Sequence, residues 1–162
     1  MAMSPSLRKK LIAAIGGGAV AIAAVLLPPL EDTVYTPYRD GGGVWTVCTG
    51  HTGPDVIPGH RYTPAQCDSF LKSDIRTADN SVNRLVKVPM TATQEAALTS
   101  FVFNVGAGNF ARSSLLRELN AGHYTEACNS LTRWVYIGRT KSTGLMNRRA
   151  IESELCMWGD ND

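Results

Sequence analysis

The chain has 162 residues, enough for one globular domain with a substantial core and too few for a second independent one. Its formal charge is +2, but Arg8, Lys9 and Lys10 stand together near the N-terminus, so residues 31–162 carry 13 basic against 14 acidic side chains. A body so nearly neutral lacks the electrostatic footprint of a nucleic-acid binder, and no nucleic-acid partner is expected.

The first element is "LIAAIGGGAVAIAAVLL", residues 11–27, without a charge. As one helix it reaches about 26 Å against a hydrocarbon core of roughly 30 Å, so it spans a bilayer marginally. Six Ala and three Gly among its 17 residues make its partition into lipid weak. The basic cluster before it and Glu31 and Asp32 after it predict a cytoplasmic N-terminus and an exported body. Three readings fit the segment: a cleavable signal peptide, with Ala19-Val-Ala21 or Ala21-Ile-Ala23 as the cleavage site, a permanent anchor, or a weak anchor able to leave the bilayer.

Pro28-Pro29 predicts a break. "VYTPYRD" and "VWTVC" then read as two strands of a hairpin around Gly41-Gly42-Gly43, with Pro37 confining the first strand to an edge. Residues 49–62 read as loop and turn. Thr63-Pro64 opens a helix running to about Arg84, with Phe70, Ile75, Ala78, Val82 and Leu85 on its buried face. Thr91-Ala-Thr-Gln94 has capping-box spacing before "EAALTSFVFNV", an apolar helix expected at the centre of a helical lobe. "GAGNF" ends it as a turn, and further helices are expected at 112–120, 125–135 and 144–157. The fold class is therefore α+β and mostly helical: a small N-terminal β-hairpin lobe, a long connecting helix and a C-terminal helical lobe, with a cleft between the lobes.

The four cysteines, Cys48, Cys67, Cys128 and Cys156, lack the close spacing of a zinc site and in an oxidising compartment read as two disulfides. Of three pairings, Cys48 with Cys67 and Cys128 with Cys156 is favoured, because each closes a loop within one half of the chain. His51, His60 and His123 do not supply a metal set, so no metal is expected. Gly106-Ala-Gly108 lacks the lysine and context of a phosphate loop, and Ser113-Ser114 lacks a nucleophile elbow.

Two carboxylates remain: Glu31 before the hairpin and Asp40 at the end of its first strand, with the hydroxyl of Thr46 on the returning strand. A pair of carboxyls in differing environments is the minimal machinery for glycoside hydrolysis, one as proton donor and the other as anion. Spacing alone does not separate such a pair from ordinary acids near a turn.

The pattern of Glu31, eight residues, Asp40, five residues, Thr46, embedded in "YRDGGGVWTVCTGHT", resembles the catalytic Glu-Asp-Thr triad of the phage-type lysozymes, the muramidase endolysins of glycoside hydrolase family 24. The similarity extends through "FVFNVGAGNF", "CNSLTRWVY" and "GLMNRRAIESELCMWG". The N-terminal "SLRKKLIAAIGGGAVAIAAVLL" resembles the signal-arrest-release anchors of lambdoid phage endolysins.

The resemblance implies a lysozyme-like two-lobed fold, with residues 1–27 as basic segment and releasable anchor and 28–162 as the catalytic domain. It implies a cofactor-free, monomeric enzyme acting on peptidoglycan at the β-1,4 bond between N-acetylmuramic acid and N-acetylglucosamine. Glu31 is then the general acid, Asp40 and Thr46 position or activate water on the opposite face, and the anomeric centre inverts. His51 maps onto a pairing with Asp74, Arg148 onto a partner of the catalytic Glu, and Asn104 and Trp134 onto sugar-contacting positions. The protein is expected in the host inner membrane through residues 11–27, its catalytic domain in the periplasm, and soluble there after release. A muramidase with a cleaved signal peptide and a silent peptidoglycan-binding protein are the alternatives. Two departures stand out: no polar linker separates anchor from Glu31, and the anchor holds no Cys for control by disulfide exchange.

Overall fold

Residues 11–27 do not form one helix in the computed structural model, which describes residues 3–158. The ends of the expected N-terminal segment and catalytic domain, Met1, Ala2 and residues 159–162, lie outside the described residues. Helix α1 (Pro5–Ala14) starts at Ser4, whose hydroxyl accepts from the Leu7 N–H; a 3-10 turn covers Ile15–Gly17, and α2 (Ala19–Leu30) follows Gly18. Gly18 has φ of +86°, and a Cβ on Gly17 would lie 2.8 Å from the Cβ of Ala21, so the corner between the helices requires glycine. Among the described residues no helix is long and apolar enough to cross a membrane.

The apolar side chains of this segment face protein instead. Leu7 and Leu11 of α1 and Ile22, Ala23, Leu26 and Leu27 of α2 are buried, all but Leu7 completely, within the main core and its bridge to the long helix. Burial of each large aliphatic side chain contributes on the order of 2 kcal/mol, so the segment is a structural part of the folded body. The break expected at Pro28-Pro29 falls later. Both prolines lie in the last turn of α2, and the helix still closes beyond them, the Glu31 N–H donating to the Leu27 carbonyl at 2.9 Å.

The hairpin forms from β1 (Val34–Arg39) and β2 (Trp45–Cys48), antiparallel, with Tyr38 opposite Thr46. A short third strand, β3 (His51–Thr52), pairs with β2 where a loop was expected; the Gly and Pro around it conceal a two-residue strand. The sheet order β1-β2-β3 leaves Pro37 on an edge strand. Val47, Cys48, Val56, Tyr62 and Cys67 make the small core of this lobe.

Helix α3 (Pro64–Leu85) carries the capping box of Thr63 and Gln66, and α4 (Ala92–Val105) that of Thr91 and Gln94. The buried face of α3 is Cys67, Leu71, Ile75, Ala78 and Val82, so Leu71 takes a place expected for Phe70. The residues of "GAGNF" form a short helix, α5 (Ala107–Ala111), rather than a turn; Gly106, at φ of +88°, separates it from α4. Helices α6 (Ser114–Asn120) and α7 (Tyr124–Ser130) follow, the latter running into a 3-10 turn at Leu131–Arg133. A hairpin of β4 (Tyr136–Ile137) and β5 (Thr140–Lys141), too short to show a strand pattern, precedes α8 (Thr143–Cys156). Helix α4 runs through the centre, with α2, α3 and α8 packed around it.

Disulfides join Cys48 to Cys67 and Cys128 to Cys156. The first ties β2 to the start of α3 and the second ties α7 to the end of α8. Cross-links closing loops of this length contribute about 3 kcal/mol each.

Candidate active site

Glu31 lies at the C-terminal end of α2, and its carboxylate Oε1 accepts a hydrogen bond from Nη1 of Arg148 on α8. Arg148 is buried, and the rest of its guanidinium is also occupied: Nη2 donates to the Ser100 carbonyl at 2.8 Å and Nε to Glu152 Oε2 at 3.2 Å. Glu152, with no exposed surface, further accepts from Ser100 Oγ at 2.5 Å and from Arg149 Nη1 at 2.7 Å. Arg149 in turn donates Nε to the Trp134 carbonyl at 2.9 Å and Nη2 to Asn104 Oδ1, and its guanidinium lies over the Phe101 ring, 4.9 Å from the centroid.

Charges left alone in such a place are costly, and this set is balanced. Arg148 and Arg149 against Glu152 leave a seat of net +1, and Glu31 brings the sum to zero. Burial pulls the Arg149 pKa down, and the charge and hydrogen bond of Glu152 oppose it. The helix spacing explains the geometry: Glu152 stands four residues from Arg148 and three from Arg149, so all three share one side of α8.

Asp40 closes the turn between β1 and β2. Its Oδ1 accepts from the N–H groups of Gly42 and Val44, both at 2.9 Å, which fixes the carboxylate while Oδ2 makes no hydrogen bond among the described residues. Thr46 is buried, and its hydroxyl donates to the Val44 carbonyl at 3.0 Å, leaving its lone pairs to accept. Tyr38, its partner across the ladder, feels Glu31, Asp40 and Asp32 together: burial first, then these three charges, push its phenol above the ordinary value of 10.0.

His51 is held from both sides. Nδ1 meets Asp74 Oδ2 at 2.7 Å, Nε2 meets Asp55 Oδ1 at 2.8 Å, and the ring stacks on Phe70 at 4.0 Å between centroids. Burial lowers its pKa, but the bonds and charges of Asp74 and Asp55 outweigh that and leave it raised. The Asp74 carboxyl is raised by its own burial, against the opposing effect of His51. This cluster ties β3 to α3, with Asp74 on the wall of the cavity beside Glu31. Among the described residues no group of three or more His, Cys, Asp or Glu side chains is placed to hold a metal ion.

The carboxylate of Glu31 borders Gly50, where a Cβ would stand 3.6 Å from Oε2. Gly50, Thr52, Asp74, Thr77, Phe103 and Gly106 line a cavity of about 230 Å³ beside it, between the sheet and the helical lobe. Asn104 and Trp134 lie on a second cavity, of about 570 Å³, with Arg133, Tyr136 and Ile137. The Trp134 ring packs edge-on against Phe101, so it is partly a core residue, and the Asn104 carbonyl oxygen is taken by Arg149. Helix spacing around Arg148 exposes Glu152 and Arg149 as partners, yet nothing in the sequence shows that they are buried. Asp55, four residues after His51 in a loop, gives no signal at all.

Comparison with known proteins follows the same residues. The phage lysozyme family matches residues 29–152. The chain is 50% identical over 163 residues to the SAR-endolysin of Enterobacteria phage PA-2, covering 97% of this chain and 99% of that protein. Among solved structures, the active form of the P1 phage endolysin Lyz is similar with a TM-score of 0.74 at 25% identity, over 96% of this chain and 94% of that one. The secreted inactive form of the same P1 endolysin matches less, with a TM-score of 0.51 at 27% identity, over 65% and 75%.

The His51 cluster predicts a pH dependence with a definite sign. A raised folded-state pKa means that the native protein favours protonated His51, so its stabilisation is complete below about pH 6.5 and is lost as pH rises through the higher folded value. In chemical denaturation, wild type should exceed His51→Asn by more at about pH 5.5 than at about pH 9. An advantage that grew toward alkaline pH would contradict the assignment.

Proposed function

The chain belongs to the phage lysozyme family, and on that premise we propose that it is a host-lysing endolysin, silent while its N-terminus is in the membrane and active once that segment folds into the enzyme. It is a muramidase, and its substrate is peptidoglycan. Glu31, protonated when the cycle begins, gives its proton to the leaving oxygen of the β-1,4 bond after N-acetylmuramic acid and is left as the carboxylate that pairs with Arg148. Asp40 takes a proton from a water on the opposite face through Oδ2, while Thr46 accepts a hydrogen bond from the O–H that the water keeps and that becomes the product hydroxyl. The water oxygen bonds to the anomeric carbon as the glycosidic bond breaks, and the configuration inverts.

The observation that carries the regulatory reading is the place of Glu31. It is the residue directly after a helix built from the weakly apolar segment, and its carboxylate reaches Arg148 only when that helix is docked against α4 and α3. With residues 11–27 in a bilayer, Glu31 is held at the interface, away from Asp40 and Thr46, and the positioning on which acid catalysis depends is lost. Collapse of the membrane potential lets the Ala- and Gly-rich segment leave the lipid and refold. The greater likeness to the active than to the inactive P1 endolysin supports reading this structure as the assembled state.

A cleaved signal peptide is less consistent with the fold. Cleavage after Ala21 or Ala23 would remove Leu7 and Leu11, both buried, and the first turn of α2 with them. The silent-binder alternative is disfavoured by the intact set of Glu31, Asp40 and Thr46.

Two variants test chemistry and control separately. Glu31→Gln should lower reducing-end release from purified peptidoglycan by about a hundredfold or more, and a near wild-type rate would exclude the acid role. Ala13→Leu with Gly16→Leu should delay lysis by strengthening the hold on lipid while sparing the released fold, since Ala13 is exposed and a Cβ on Gly16 meets nothing within 4 Å. Lysis on the wild-type schedule would show that weak partition is not the control.

A further inference from the structure

We propose that Tyr38 is a further substrate-contacting residue of this muramidase: its phenol hydroxyl donates a hydrogen bond to an acceptor oxygen, hydroxyl or acetamido, of the amino sugar lying between Glu31 and Asp40. The inference rests on the muramidase reading and deepens it.

The first support is register. Tyr38 pairs with Thr46 across the β1–β2 ladder, and Thr46 pairs with Thr52 across β2–β3. Directly opposed residues project to the same face of a sheet, so Tyr38, Thr46 and Thr52 form a row on one face. Thr52 lines the cavity beside Glu31, and this row therefore fronts the cleft. The neighbouring pair, Arg39 and Trp45, projects to the other face, where the guanidinium lies 5.0 Å from the indole centroid.

The second support is charge. Tyr38 stands two residues before Asp40 on β1 and opposite Thr46, and the carboxylates of Glu31, Asp40 and Asp32 are all near enough to act on its phenol. A sugar held between Glu31 and Asp40 comes within reach of that side of the sheet. The same surroundings keep that hydroxyl protonated, with burial as the larger cause, so it is available as a donor.

The third support is availability. Tyr38 is 40% exposed, although it is a large aromatic residue in a sheet, and its hydroxyl makes no hydrogen bond among the described residues. Tyr62, by contrast, has its hydroxyl bound between the Asp55 carbonyl at 2.7 Å and the Ile57 N–H at 2.9 Å. Of these two tyrosines, one staples the small lobe and the other offers a free donor beside the acids.

Tyr38→Phe isolates the hydroxyl while keeping the ring. On purified peptidoglycan the released enzyme should lose roughly fivefold to tenfold in kcat/KM, the worth of one donor in a site, with the thermal midpoint unchanged. Its pH–rate profile should keep both limbs where wild type has them, because the donor is neutral throughout. A variant equal to wild type would overturn the proposal, as would a loss that follows a lowered thermal midpoint. A displaced limb would also overturn it, assigning Tyr38 to the ionisation of Glu31 or Asp40 instead. Failure of the wild-type enzyme itself to make reducing ends would be a different result, against the muramidase reading.

Discussion

The ion pair between Glu31 and Arg148 is the constraint around which the rest of the molecule is arranged. A buried guanidinium must have its charge answered and its N–H groups met, or the desolvation cost is several kcal/mol. Arg148 obtains this from three elements at once: Glu152 on its own helix, Ser100 at the centre of α4, and Glu31 at the end of α2. Without Glu31, Arg148 and Arg149 against Glu152 would leave the seat one positive charge in excess. In the folded protein α2 both buries Leu26 and Leu27 and neutralises that seat. Under the proposed release, positioning of the acid and completion of the core become one event.

Under the proposed release, the N-terminal segment has two environments to satisfy: in lipid it is apolar along 17 residues, and in the folded body it turns sharply and puts one side of each helix against protein. All three of its glycines weaken partition into a bilayer, and Gly17 and Gly18 also make the corner between α1 and α2 in the folded protein. Arg8, which at the membrane favours a cytoplasmic N-terminus, pairs in the folded body with Glu154 at 2.6 Å and lies over Trp158. On the proposed reading, the absence of a polar linker before Glu31 fits the use of the anchor's end as the helix that carries the acid.

Much of this was legible in the sequence, for identifiable reasons. Thr63-Pro64 and the capping box at Thr91 mark helix starts because a cap is a local signal, and β1 and β2 show through their β-branched and aromatic content. Locality alone favoured the two disulfides found here. The corner at Gly18 was hidden because a run of apolar residues reads the same whether it faces lipid or a protein core. The two prolines in α2 were misplaced because their cost depends on where the helix ends, and that is fixed by docking. At the site, the order of Glu31, Asp40 and Thr46 is written in spacing and resemblance. The burial of Glu152, the reach of Asp55 and the face shared by Tyr38 and Thr46 depend on tertiary packing and strand register, which local pattern does not determine.

The coupling of Glu31 position to the fate of its helix is tested most directly by reducing-end release from purified peptidoglycan. Full-length protein held in sealed liposomes with its catalytic body outside is compared with the same protein released into solution. The account predicts almost no release from the tethered protein and full activity after release, with both disulfides intact in each state. Equal activity in the two states would contradict it.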